Sequence, residues 1–176
     1  MSLIPEFELG FWNAWIFLIP LFLMHIINAV RIHTGGPSKK IPIVLFLILH
    51  ILPFLLPLRL NALWFYAGLI VYIVGMIIGY LAMYGFATTP IDKPVTKGIF
   101  RYSRNPMYLG GFISLIGISL VSISWVYFLT ASIWMILNHV MEIPVEESEC
   151  VKKYGTDYIE YRKKTPKWIG IPRSRK

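Results

Sequence analysis

Cysteine occurs once in the 176 residues, at Cys150, so no disulfide can form within the chain, and no Cys/His cluster has the spacing of a zinc site. Cys150 reads as a small apolar helix residue. Acidic side chains are scarce, nine against seventeen Lys and Arg. The net charge of +8 nevertheless points away from nucleic acid, because the cations flank long apolar runs and share no folded basic face. A positive n-region is missing ahead of the first apolar run, which follows Glu6 and Glu8 and is too long for a signal-peptide core, so that helix is expected to stay in the mature protein. No Gly-x-Gly-x-x-Gly follows a strand, and there is hardly a strand pattern to follow; a Rossmann-type nucleotide site is excluded.

What is present is apolar sequence: 56% hydrophobic, 15% charged, mean hydropathy +0.62. That balance predicts an all-α, multi-pass membrane protein, a single membrane domain over 1–176. About five transmembrane helices are expected, over 9–30, 41–58, 62–87, 106–122 and 124–141, with a cytoplasmic C-terminal cap of amphipathic helices at 142–176. Trp12 and Trp15 suit the outer interface, and Pro20 predicts a kink in the first span. Arg31 to Lys40, with Gly35-Gly36-Pro37-Ser38, reads as a turn; Pro42, Pro53 and Pro57 mark a short second span; Arg59-Leu60-Asn61 makes a tight outer loop. In the third span Gly75 and Gly79 form a GxxxG pattern, read as intramolecular packing before a dimer seam. His25 and His50 read as packing residues, whereas His139 is a candidate for the site. The apolar stretch Met107 to Met141, 35 residues, exceeds one span and is expected to fold back at Ser122-Ile123-Ser124. With the N-terminus outside and the C-terminus cytoplasmic, sixteen of the seventeen cations fall on the cytoplasmic side and can meet anionic headgroups.

The richest stretch runs from Lys97 to Gly111, where Gly98-Ile99-Phe100 precedes Arg104-Asn105-Pro106-Met107-Tyr108-Leu109-Gly110. Polar groups at the mouth of an apolar segment are costly unless used. Downstream lie Glu146-Glu147-Ser148-Glu149-Cys150 and Tyr154-Gly155-Thr156-Asp157-Tyr158, followed by Tyr161. These three blocks, in this order from Asp92 to Trp168, resemble the signature of the isoprenylcysteine carboxyl methyltransferase and phospholipid methyltransferase superfamily, small integral-membrane enzymes that use S-adenosylmethionine. The resemblance implies methyl transfer to a lipid or lipidated substrate at the membrane interface. It implies donor contacts from Asp92, Lys93, Pro94, Val95, Phe100, Asn105, Pro106, Met107, Tyr108 and Glu146, catalytic roles for Arg104, Glu142 and Glu146, and substrate contacts from Glu142, Tyr158 and Tyr161. No metal is implied. Each residue also has a plainer reading: Pro106 starts a helix, Gly110 and Gly111 allow close packing, and Arg104 snorkels.

Pro144 is expected to open a helix that runs to Tyr154 and stops at Gly155, with a second helix from about Asp157. The sequence departs from the superfamily pattern at three places. Phe100 stands where tyrosine is frequent, and Asn105 where histidine is usual, which removes a titrating base but keeps a hydrogen-bonding tip. Glu142 stands four residues before Glu146, where isoprenylcysteine enzymes place an arginine for the substrate carboxylate; a glutamate favours an amine instead. Phospholipid N-methyl transfer is therefore the first alternative. A sterol-reductase-like, NADPH-dependent membrane reductase and a non-catalytic adaptor complete the set, although the chain is short for the former.

Overall fold

Glycine decides the central contact of this fold. Gly68, Gly75 and Gly79 line one face of a helix, and Gly110, Ser114 and Gly117 line the face of its neighbour. A Cβ at Gly110 would lie 2.6 Å from the Gly79 nitrogen, and one at Gly117 would lie 2.5 Å from the Tyr72 nitrogen, so only hydrogen fits between the two backbones. The computed structural model describes residues 7–23, 43–60 and 62–172. Within them the helices are α1 (Ala14–Leu23), opening as a 3-10 turn, α2 (Ile43–Ile51), α3 (Leu63–Thr88), α4 (Pro106–Val121), α5 (Trp125–Leu137), α6 (Ile143–Tyr154) and α7 (Thr156–Lys164). The described residues form no strand, only an isolated antiparallel bridge between Asn13 and Pro57. The glycine-faced pair is α3 and α4, so the GxxxG motif is used inside the chain.

Among the described residues two helices are long and apolar enough to cross a membrane, Leu63–Thr88 and the continuous Trp125–Tyr154; Ala14–Leu23 and Pro106–Val121 are shorter apolar helices. Buried tyrosines tie the bundle together where chain-internal acceptors are scarce: Tyr72 donates to Phe17 O at 2.7 Å, and Tyr127, fully buried, donates to Leu49 O at 3.1 Å. The return between α4 and α5 falls at Ser122-Ile123-Ser124, as the sequence predicts. Ile123 takes a left-handed φ of 49°, and Ser124 caps α5 by accepting from the Tyr127 N–H at 3.2 Å.

Three boundaries differ from the sequence reading. The first helix begins at Ala14, because residues 12–14 pair with 56–58: Ala14 N–H donates to Leu56 O and Leu58 N–H to Trp12 O. The second helix gives way at Leu52 to a 3-10 turn through Leu55, with Pro53 inside it, and leaves Leu56–Leu58 free for that pairing. Pro144 lies in the first turn of α6, which runs to Tyr154 as expected, but no break separates α6 from α5. Asn138–Glu142 form a π turn in which Ile143 N–H reaches back to Asn138 O, and this widened turn joins α5 to α6 without a break. The proline lacks an N–H and its ring crowds the preceding turn, so the wider turn accommodates it. The expected loop Arg31–Lys40 and His25 lie outside the described residues.

Candidate active site

The site forms at the end of the bundle where α4 starts. A 3-10 turn, Gly98–Arg101, entered through Gly98 at φ 60°, delivers the chain to Ser103, whose buried hydroxyl accepts the Asn105 N–H at 3.1 Å. Pro106 then occupies the first helical position, where its missing N–H costs nothing. Arg104 is thereby held just before α4, and Tyr108 in its first turn.

Folding back at Ser122–Ser124 returns the chain along α5, and α6 places its carboxylates opposite. Tyr108 Oη donates to Glu146 Oε1 at 2.6 Å. Arg104 Nη2 lies 3.3 Å from Glu147 Oε1, with the two side chains only 12% and 14% exposed. Burying this pair removes both charges from water, a cost offset only by good geometry and further hydrogen bonds. Arg104 has one, from Nη1 to Arg162 O at 3.1 Å, at the carbonyl end of α7. Its buried Nε has no hydrogen-bond partner among the described residues.

Helix α7 closes the far side. Gly155, at φ 56°, ends α6 and turns the chain into α7, whose Tyr158 and Tyr161 are buried against Phe100 and Ala82. Tyr161 donates to Phe100 O at 2.7 Å. Burial pushes the Tyr158 and Tyr161 hydroxyls above the ordinary phenol range, so both stay protonated and neutral. Beyond α7 the segment Thr165–Ile171 lies against the approach to α4. Pro166 O accepts the Arg104 N–H at 3.0 Å, Lys167 O accepts Asn105 Nδ2 at 3.1 Å, and Gly170 N–H donates to Tyr102 O at 3.0 Å. Trp168 faces the His139 ring at 5.4 Å, which places His139 at this strap.

These elements enclose a cleft of about 150 Å³. Of the residues singled out in the sequence, Pro94, Val95, Phe100, Arg104, Asn105, Pro106, Met107, Tyr108, Glu146, Tyr158 and Tyr161 line it together. Asp92 and Lys93 are exposed in the α3–α4 loop and do not line it. Glu142 is 4% exposed in the π turn, one helical turn before Glu146, and is also outside the lining. Sequence reasoning missed Phe86, Glu147, Cys150 and Tyr154, which line the cleft as well. The signal was present: Glu146, Glu147, Cys150 and Tyr154 follow helical spacing and share one face of α6. Asn105 spends its amide on the strap, so its tip is structural in this arrangement. Among the described residues no group of three or more His, Cys, Asp or Glu is placed to hold a metal ion.

The phospholipid methyltransferase family model matches residues 61–157, from the start of α3 to the start of α7. The protein-S-isoprenylcysteine O-methyltransferase of Schizosaccharomyces pombe is 37% identical over 78 residues, covering 44% of this chain and 32% of that protein. The chain thus matches about a third of the length of this relative. No solved structure matches the chain. With more than half of its residues inside the family match, and with the Arg104 and Glu146 blocks brought together there, the chain belongs to the phospholipid methyltransferase family.

Proposed function

We propose that this chain is an S-adenosylmethionine-dependent membrane methyltransferase acting on a lipid or lipidated substrate at the membrane interface, in the manner of isoprenylcysteine carboxyl methyltransferases. The observation that carries the reading is the cleft itself: one cation and two carboxylates, from the starts of α4 and α6, converge over an apolar floor of Phe100, Met107 and Val95. The donor needs a partner for its carboxylate, one for its ammonium and ribose, and an apolar slot for adenine. The residues present fit. Arg104, whose buried Nε is without a hydrogen-bond partner among the described residues, would hold the carboxylate; Glu146 would hold the ammonium or ribose hydroxyls; Phe100, Met107 and Tyr108 would take the adenine.

When bound, S-adenosylmethionine supplies an electrophilic methyl group on sulfonium. The protein's share is positioning and exclusion of water. Tyr108 fixes the Glu146 carboxylate by its hydrogen bond, and Glu147 fixes the Arg104 guanidinium by its ion pair. Tyr158 and Tyr161 wall the cleft from α7. Five membrane segments in one domain, with the N-terminus outside and residues 142–176 as a cytoplasmic cap, would put this cleft at the inner headgroup level, and the charge distribution supports that orientation.

Glu142 favours a second acceptor class, an amine headgroup. Such a headgroup must lose a proton before it attacks, and the Glu142 carboxylate, buried one turn behind Glu146 and outside the cleft lining, would accept that proton from an ammonium drawn in past Glu146. A carboxylate acceptor needs no base.

The experiment is equilibrium binding of S-adenosylhomocysteine and, separately, NADPH to detergent-solubilised protein. Binding of the former alone is expected; binding of NADPH alone would install the reductase reading, and binding of neither would favour an adaptor. Labelled donor offered with a farnesylcysteine analogue or with phosphatidylethanolamine then separates the acceptors. If transfer goes to the aminolipid, Glu142→Arg should abolish it.

A further inference from the structure

Arg104 lines two cavities. One is the cleft described above; the other, about 230 Å³ in volume, is walled also by Arg162, Lys163, Lys164, Lys167 and Ile171. We propose that this second cleft is a binding site for the phosphate of an anionic phospholipid headgroup.

Among the described residues no carboxylate lines it. Lys164 is shared with Glu160, 3.5 Å away across the exposed surface of α7, but Arg162, Lys163 and Lys167 have no ion pair among the described residues. The last turn of a helix favours cations through its dipole, which accounts for Arg162, Lys163 and Lys164 on their own. It does not account for Lys167, which lies beyond the helix, or for Arg104, which comes from the start of α4. Their convergence is built by the strap: Arg104 N–H is fixed to Pro166 O, Nη1 to Arg162 O, and Lys167 O to Asn105. Three chain segments thus aim positive charge at one cavity through ordered backbone.

The apolar neighbours favour a lipid over a free anion. Ile169 and Ile171 stand on the same strap, 73% and 88% exposed, and Ile171 lines the cleft. Exposed isoleucines beside converging cations match a phosphate at the headgroup level with acyl chains alongside. This site shares Arg104 with the donor cleft and no other lining residue, so its occupancy can be read without any turnover through lysines that do not line that cleft.

The test uses the full chain in detergent, titrated by calorimetry with short-chain phosphatidylglycerol, short-chain phosphatidylcholine and inorganic phosphate. Saturable binding of phosphatidylglycerol is expected, with much weaker binding of the other two and a loss in 0.5 M salt. Lys163→Gln with Lys167→Gln should weaken it roughly 10- to 30-fold at about 1 kcal/mol per charge, while S-adenosylhomocysteine affinity, read in the same preparation, reports that the variant is folded. Equal affinity for the two lipids, or unchanged affinity in a folded double variant, would overturn the proposal. Inorganic phosphate binding as tightly as phosphatidylglycerol would overturn the lipid assignment.

Discussion

The Tyr108 hydroxyl donates to Glu146 Oε1 at 2.6 Å, joining the first turn of α4 to α6 across the mouth of the cleft. Removing the hydroxyl in Tyr108→Phe leaves the carboxylate free to rotate. Donor-product affinity should fall by about 0.5–1.5 kcal/mol, the net worth of one hydrogen bond. Glu146→Gln and Arg104→Ala should each cost more, about 1.5–3 kcal/mol, because a charge-assisted contact to the ligand is lost. Calorimetry with S-adenosylhomocysteine measures all three, and wild-type affinity in folded Glu146→Gln and Arg104→Ala variants would remove the assignment.

Adjacent glycines should respond oppositely to alanine. A Cβ at Gly110 would lie 2.6 Å from the Gly79 nitrogen, whereas one at Gly111 meets only the Trp134 ring at 3.7 Å. Gly110→Ala must push α3 and α4 apart and should lower stability by about 1–3 kcal/mol. Gly111→Ala should be neutral or raise stability by up to about 1 kcal/mol through helix propensity. Thermal melts in detergent compare them; equal losses would mean that the helix contact is looser than described.

The turn between α4 and α5 holds a strained residue beside a cap. Ile123 at φ 49° is β-branched in a left-handed conformation, so Ile123→Gly should stabilise the protein by about 1 kcal/mol, offset in part by greater freedom of the unfolded chain. Ser124→Ala deletes the acceptor for the Tyr127 N–H and should destabilise by about 1 kcal/mol. Denaturant or thermal unfolding reads both, and the opposite signs would refute the local description.

Orientation is testable in a Cys150→Ser background. A cysteine at Leu60, exposed between α2 and α3, should react with an impermeant maleimide in intact cells, and one at Lys163 should react only after lysis. Reversed labelling would invert the proposed topology.

Much of this was legible in the sequence, for reasons that are local. Gly155 stops α6 and Pro106 starts α4 because of what those residues do to their own backbone, and Ser122-Ile123-Ser124 stands out as a polar break in a run too long for one span. The ordered motif blocks indicated that Arg104 and Glu146 share a cleft. What stayed hidden depends on distant partners. Residues 12–14 leave helix only because 56–58 offer them an acceptor at Leu56 and a donor at Leu58, Asn105 turns to Lys167, and Arg104 chooses Glu147 over its neighbour in the Glu-Glu pair. Pro144 marked the first turn of α6 correctly, but nothing local announced the wider turn before it that joins α6 to α5.

The unbroken Trp125–Tyr154 helix fixes a distance as well as a path. Its 30 residues span about 45 Å at 1.5 Å per residue, against about 30 Å of hydrocarbon in an ordinary bilayer. If its outer end is anchored at the far headgroups by exposed Trp125, Glu146 and Glu147 ride on a rod whose height above the inner leaflet depends on how thick the bilayer is. A thinner membrane would lift those carboxylates away from the lipid surface, and a thicker one would draw them into it. The same protein would then work at different rates in membranes that differ only in acyl-chain length, with lipid thickness acting as a ruler for substrate reach.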